Sequence, residues 1–192
     1  MQEEIIKTDQ ELVIATLENR HAFSEIVHRY EAPIRRYVKR LGCKEDSDAD
    51  DILQDIFIKV FLNLNDYDPG LKFSSWLYRI AHNETVSSFR KKSSRPNVLG
   101  TIDTEEFFEH LADEADSVEL ANKRYDATII QKALSSITEK YKEVLVLRFL
   151  EEKSYTEISD ILKIPEGTVA TLISRGKKEL KMALEIKEIK NI

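Results

Sequence analysis

The stretch from Asp48 to Leu64 carries two parallel rows of apolar side chains: Ile52, Ile56, Val60 and Leu64 in one, Leu53, Phe57 and Phe61 in the other. Both rows are spaced by four, which sets them side by side on one face of an α-helix. A stripe that wide has to be covered, so the segment predicts a helix built into a core. The same period runs earlier, from about Thr8 to Leu41, through Leu12, Ile14, Leu17, Phe23, Ile26, Val27, Tyr30, Ile34, Tyr37 and Val38, with Gly42 as a stop. Five glycines and four prolines are few breakers for 192 residues, and the 33% of charged residues exceeds the usual ~25%. The expected fold class is all-α.

Charge decides how the helices are grouped. The formal net charge is −6, which taken alone argues against a nucleic-acid partner. Its distribution reverses that reading. Residues 1–96 are net −1, residues 97–120 hold eight carboxylates and no Lys or Arg, and residues 121–192 are net +3. The acidic segment follows the basic, turn-prone run Arg90, Lys91, Lys92, Ser93, Ser94, Arg95, Pro96 and reads as a linker between two small helical domains. A single cysteine, Cys43, allows no intrachain disulfide and suits a reducing cytoplasm. The opening MQEEIIKTDQ shows no apolar signal region, and no run approaches the ~18 apolar residues of a membrane span. No further domain is expected beyond the second one.

Near the C-terminal end stands SYTEISDILKIPEGTVATLISRGKKEL. Ser154 with Glu157 three residues on forms a capping box for a short helix to Leu162. Lys163, Ile164 and Pro165 make a turn, and a second helix begins near Glu166, which together describe a helix-turn-helix. At ~100° per residue, Val169, Leu172, Ile173, Gly176 and Leu180 share one arc and should pack on the first helix. The opposite arc carries Thr171, Ser174, Arg175 and Lys178, with Thr168 at its edge. Hydroxyls and guanidinium groups are the types that reach base edges in a major groove, while Lys177 and Lys181 are placed for phosphates. A solvated face on a helical bundle would show a similar pattern.

A second candidate face lies on the helix expected from Ser74 or Ser75 to about Lys92. Trp76, Arg79, Asn83 and Arg90 fall within about 60° of arc on a straight helix. Residues 67–96 are net +4, with Tyr67, Phe73, Trp76, Tyr78 and Phe89 interleaved. Cations that follow phosphates and rings that stack on unpaired bases are what single-stranded nucleic acid requires. For Phe73 and Phe89 a place in the core explains the pattern equally well. A third face, on the Asp48 to Leu64 helix, sets Asp51, Gln54, Asp55 and Ile58 away from the apolar stripe. Such a mixture serves as a protein-docking surface or as a plain solvated face. Asp48, Asp50, Asp51 and Asp55 raise the question of a metal site, yet His21, His28, His82 and His110 lie at no ligand-like spacing. The helix dipole accounts for acids at that terminus, so neither a metal nor a cofactor is expected.

With these faces drawn, the sequence is recognisable. DADDILQDIFIKVFLNLNDYDPGLKFSSWLYRIAHNETVSSFRKK resembles the second region of bacterial sigma-70 factors, and LSSITEKYKEVLVLRFLEEKSYTEISDILKIPEGTVATLISRGKKEL resembles their fourth. Two such regions joined by an acidic connector resemble the extracytoplasmic-function (ECF) subfamily. The resemblance implies a transcription initiation factor, not an enzyme, that acts in the cytoplasm with core RNA polymerase and promoter DNA, and with an anti-sigma factor as a further partner. It implies that Asp51, Gln54, Asp55 and Ile58 meet the clamp helices of the large polymerase subunit. It assigns Phe73, Trp76, Arg79, Asn83 and Arg90 to the melted minus-ten strand. It assigns Thr168, Thr171, Ser174, Arg175, Lys177 and Lys178 to the minus-thirty-five duplex. The family often carries basic residues where Ala170 and Leu172 stand, and an acid where Ser87 stands. The alternative is a dimeric helix-turn-helix regulator with no polymerase contact; more distant is a metal-dependent nucleic-acid enzyme built on Asp48 to Asp55.

Overall fold

The computed structural model describes residues 7–43, 45–91 and 127–190, and among them the regular elements are helical. The acidic connector expected over 97–120 lies outside the described residues. Four long helices make the N-terminal unit: α1 (Asp9–Glu18), α2 (Phe23–Leu41), α3 (Asp46–Leu62) and α4 (Phe73–Lys91). Four more make the C-terminal unit: α5 (Ala127–Ser136), α6 (Glu139–Phe149), α7 (Tyr155–Leu162) and α8 (Glu166–Lys190).

The continuous period from Thr8 to Leu41 conceals a break. Thr8 and Glu11 cap α1 reciprocally, and the helix ends at Asn19, whose backbone is extended. Asn19 Oδ1 then accepts from His21 N at 3.1 Å and starts one 3₁₀ turn before α2. α2 tolerates Pro33 in its interior and stops at Gly42, whose φ of 127° is open only to glycine without strain. α3 begins with Asp46 and Asp48 in its first turn, where the dipole favours acids. Asp46 pairs with Lys39, and Asp50, one turn on, with Arg35, so both also fasten α3 to α2. The turn into α4 is closed by Gly70 N donating to Asp68 Oδ1 at 2.9 Å and by Tyr67 Oη donating to Leu71 O at 2.6 Å.

The two rows on α3 meet different fates. Ile52, Ile56 and Val60 are buried between α2 and α4, and Leu64, in the 3₁₀ turn that follows α3, is buried as well, none above 4% exposed. The second row emerges gradually, with Leu53 and Phe57 nearly covered and Phe61 half-buried. In the C-terminal unit the Ser154–Glu157 capping box opens α7 as expected. Lys163 turns left-handed at φ 56°, and Ser159 Oγ donates to Ile164 O at 2.6 Å to hold the turn.

The apolar arc of α8 is buried at Val169, Ile173, Gly176, Leu180 and Leu184, and Leu172 is half-buried. Its partners extend beyond the helix expected to cover it: α8 packs on α5 and α6 as well as on α7. Gly176 is the point of closest approach. A Cβ there would stand 3.2 Å from Tyr141 Cβ and 3.3 Å from Leu145 Cδ1, both on α6. Gly176→Val is therefore expected to force α8 from α6 at an overpacking cost of about 1–3 kcal/mol. A lowered urea midpoint with loss of duplex binding would confirm it, and an unchanged midpoint would refute the close packing.

Candidate nucleic-acid and protein interfaces

Burial of one arc of α8 leaves the opposite arc in solvent. Thr168, Thr171, Ser174, Arg175 and Lys178 are all exposed, and Lys177 is half-buried at the edge. Thr171 Oγ1 donates to Gly167 O at 2.8 Å, which uses its proton and leaves its lone pairs facing outward as acceptors for a base amino group. Glu179 reaches back to the start of α6, accepting from Thr138 N at 3.3 Å, and so steadies α8 against the helix it lies on. Ala170 and Leu172 are half-buried, and Leu172 packs against the core, so Leu172 serves the fold rather than the open face.

The face expected on α4 divides. Asn83 and Arg90 are exposed and Arg79 is half-buried, but Phe73 and Trp76 are only 3% and 6% exposed. Their rings interlock with Tyr30 and Tyr67 at centroid separations of 5.3–5.8 Å. The Tyr67–Leu71 turn folds Tyr67 over the first turn of α4, and Tyr30 of α2 closes the other side. In this conformation these two aromatics are core residues that fix the helix, and only its later turns present polar groups.

On α3, Asp51, Gln54, Asp55 and Ile58 are exposed, Ile58 by 48%. Beside them lies an open hollow of about 780 Å³ between α2 and α3, to which Gln54 and Ile58 contribute but Asp51 and Asp55 do not. Its floor is Phe23, Val27, Leu53, Phe57 and Phe61, with Phe23 edge-on to Phe61 at 5.1 Å. Arg20 lies over the Phe61 ring at 5.5 Å, and Arg35, Glu31 and Asp50 complete a charged rim. Reading the second apolar row as core hid this hollow. The available signal was that Leu53, Phe57 and Phe61 lie between the fully apolar row and the polar face.

Two stretches of the chain match known families. The Sigma-70 region 2 family model matches residues 26–95, and the Sigma-70, region 4 model matches residues 127–180. The ECF RNA polymerase sigma factor SigW of Bacillus subtilis is 38% identical over 173 residues, which cover 85% of this chain and 89% of that protein. The chain belongs to the ECF subfamily of sigma-70 factors. Its fold is that of CnrH in complex with the cytosolic domain of CnrY, with a TM-score of 0.66 at 23% identity over 93% of this chain and 97% of that one. The sigma factor RpoE bound to the anti-sigma factor NepR from Bartonella quintana also matches, with a TM-score of 0.61 at 22% identity over 85% and 97%.

In this ECF factor the two units also meet each other, α4 on α7 and α2 on α6. Between them Arg40 Nη1 contacts Glu151 Oε1 at 2.8 Å and donates to Leu150 O at 2.5 Å, while Tyr78 Oη donates to Glu151 Oε2 at 2.7 Å. The Arg40 and Glu151 side chains are 6% and 4% exposed. The Tyr37 and Tyr78 ring centroids lie 5.1 Å apart at a tilt of 50°, and Lys153 Nζ sits 4.3 Å from the Tyr78 ring centroid. Lys72 pairs with Glu157 at 3.3 Å across the same boundary.

A little further along, His82 Nε2 on α4 faces Glu143 Oε1 on α6 at 3.6 Å, longer than a hydrogen bond. Burial pushes the Glu143 carboxyl up to about 7, aided by Glu139 and opposed by Lys142 and Arg90. Burial pushes the His82 imidazole down to about 4, so at neutral pH the contact is not an ion pair. Glu143 therefore contributes stability below its ordinary value of 4.5 that is lost as pH rises to about 7. His82 works oppositely, its contribution present above 6.5 and lost as pH falls to about 4. The two offset each other over most of the acid range, and the Glu143 loss stands alone nearest neutrality. Glu143→Gln is expected to raise the melting temperature at about pH 8 and to flatten its decline above about pH 6.5. Thermal melts across pH would refute the assignment if the variant and wild-type curves stay parallel.

Proposed function

We propose that this chain is an initiation factor that binds core RNA polymerase and directs promoter recognition and strand opening. What carries the proposal is one chain with two matched sigma regions, each with an open face of suitable chemistry on a helix whose other face is core. The polymerase performs the chemistry, so the chain is not itself an enzyme, and it acts in the cytoplasm where its polymerase works. Residues 1–96 form the core-binding and minus-ten unit, and residues 121–192 the minus-thirty-five unit.

Asp51, Gln54, Asp55 and Ile58 dock the clamp helices, with Ile58 entering an apolar contact beside the hollow and the two aspartates meeting basic partners at its side. Arg79, Asn83 and Arg90 follow the melted strand. Phe73 and Trp76 hold α4 in place for that contact, and stacking of their rings on a flipped base requires the aromatic cluster to open. Base capture from a duplex costs a few kcal/mol of unstacking, which the polymerase-bound state has to offset. Thr168, Thr171, Ser174, Arg175, Lys177 and Lys178 read the minus-thirty-five duplex from the major groove, with the planar fork of Arg175 suited to bidentate contact with a guanine edge. An anti-sigma factor is a further partner, as for the relatives whose complexes are known.

Reconstitution with core polymerase on a promoter pool tests the reading, through the start sites that depend on this protein. Failure to bind core, together with tight specific duplex binding by the chain alone, would favour the dimeric regulator. Arg175→Ala is expected to weaken promoter binding by about 10–100-fold, the equivalent of ~1–3 kcal/mol, with core affinity unchanged. Loss of both would indicate misfolding. Reversing the charge of the eight linker carboxylates is expected to weaken assembly with core, where the linker acts as a stand-in for nucleic acid. Unchanged affinity and unchanged initiation would sink that role.

A further inference from the structure

On the open arc of α8, Thr171 differs from its neighbours in what its polar group can do. Arg175, Lys177 and Lys178 only donate hydrogen bonds. Among the described residues neither Thr168 nor Ser174 ties its hydroxyl to the chain, so each can turn to donate or to accept. Thr171 is tied. Its Oγ1 donates to Gly167 O at 2.8 Å, one turn back, while the residue stays exposed. Donating outward would break that bond, so toward a ligand this oxygen is an acceptor. It is also a strengthened one, because hydrogen bonds in series polarise one another.

Gly167 keeps the acceptor uncovered. Side chains on a helix lean toward its N-terminus, which places Thr171 over the turn that holds Gly167. A Cβ at Gly167 would meet nothing within 4 Å, and the residue is not among those with positive φ. Neither packing nor backbone conformation calls for glycine there, although glycine weakens a helix relative to alanine. The bare position leaves room for a base edge beside the Thr171 oxygen.

The major groove offers such an acceptor two donors, the N6 amino group of adenine and the N4 amino group of cytosine. Guanine and thymine present only acceptors there. We infer that Thr171 is a specificity-determining residue, which selects an amino base, adenine or cytosine, over guanine or thymine at one position of the minus-thirty-five element. The inference rests on the reading of α8 given above and adds to it a base class. Arg175 stands four residues on, ~6 Å along the same face. The base it addresses therefore lies within about two pairs of the amino base, at ~3.4 Å per pair.

The test uses the full chain with core polymerase on promoters randomised across the minus-thirty-five region. Bound sequences are counted for wild type, Thr171→Val, Thr171→Ala, Thr171→Ser and Arg175→Ala. The wild type is expected to favour adenine and cytosine over guanine and thymine by about tenfold at one position. Thr171→Val and Thr171→Ala are expected to abolish that preference, and Thr171→Ser to keep it. Deleting the amino group itself, with purine for adenine or 2-pyrimidinone for cytosine, is expected to weaken wild-type binding by the same factor and to leave Thr171→Val binding unchanged. A wild type with no such position overturns the inference, as does a preference that survives in both Thr171→Val and Thr171→Ala. Arg175→Ala separates this failure from that of the wider reading. Base preference relaxed in Arg175→Ala but in no Thr171 variant sinks the amino-base role alone, whereas unchanged preferences in every variant remove α8 from the element.

Discussion

Each working helix in this protein has a single circumference to divide between the core and a partner. The division is set by how closely the neighbouring helix approaches. On α8, Gly176 lets the backbone press onto Tyr141 and Leu145 of α6, which concentrates burial on one narrow arc. The opposite arc, with Thr168, Thr171, Ser174, Arg175 and Lys178, stays in solvent. On α3 the division is more gradual. One apolar row is sealed, the next slopes from Leu53 to the half-buried Phe61 as the floor of an open hollow, and the acids lie beyond. On α4 the first turn gives Phe73, Ser75 and Trp76 to the core, and charged groups emerge only from Arg79 onward. The same rule thus gives three different surfaces.

The junction between the units adds a buried polar contact to an apolar cluster that runs through both. Glu151 carries that contact. Its carboxylate has two oxygens, one directed to Arg40 and one to Tyr78, so a single side chain ties α2 and α4 to the segment that follows α6. Burial raises its pKa, while the Tyr78 and Arg40 hydrogen bonds and the Arg40 charge act to lower it. The charge is therefore tolerated only while its partners are present.

What the sequence disclosed, and what it withheld, follows from the range of each interaction. The capping box at Ser154, the stop at Gly42 and the arc of α8 are local, involve residues within a turn or two, and were legible as patterns. The break at Asn19 was not, because the apolar period continues on both sides while only a short 3₁₀ turn shifts the phase. Trp76 and Phe73 were ambiguous for another reason: an aromatic on a basic helix serves core and ligand equally well, and Tyr30 and Tyr67 decide the matter from other elements. The Arg40–Glu151 contact spans 111 positions, and no periodicity connects its ends. In the sequence Arg40 stands between Lys39 and Leu41, and nothing local marks it for burial.

The net charge of −6 takes its meaning from this partition. Its excess belongs to the connector over 97–120, whereas residues 67–96 are net +4 and residues 121–192 net +3. A DNA surface this modest in positive charge neutralises few phosphates, and each contact forgone lowers affinity and its salt dependence together. A partner that adds cationic surface of its own to the complex makes up that deficit, because the summed field and not the chain's total charge governs attraction to the phosphates.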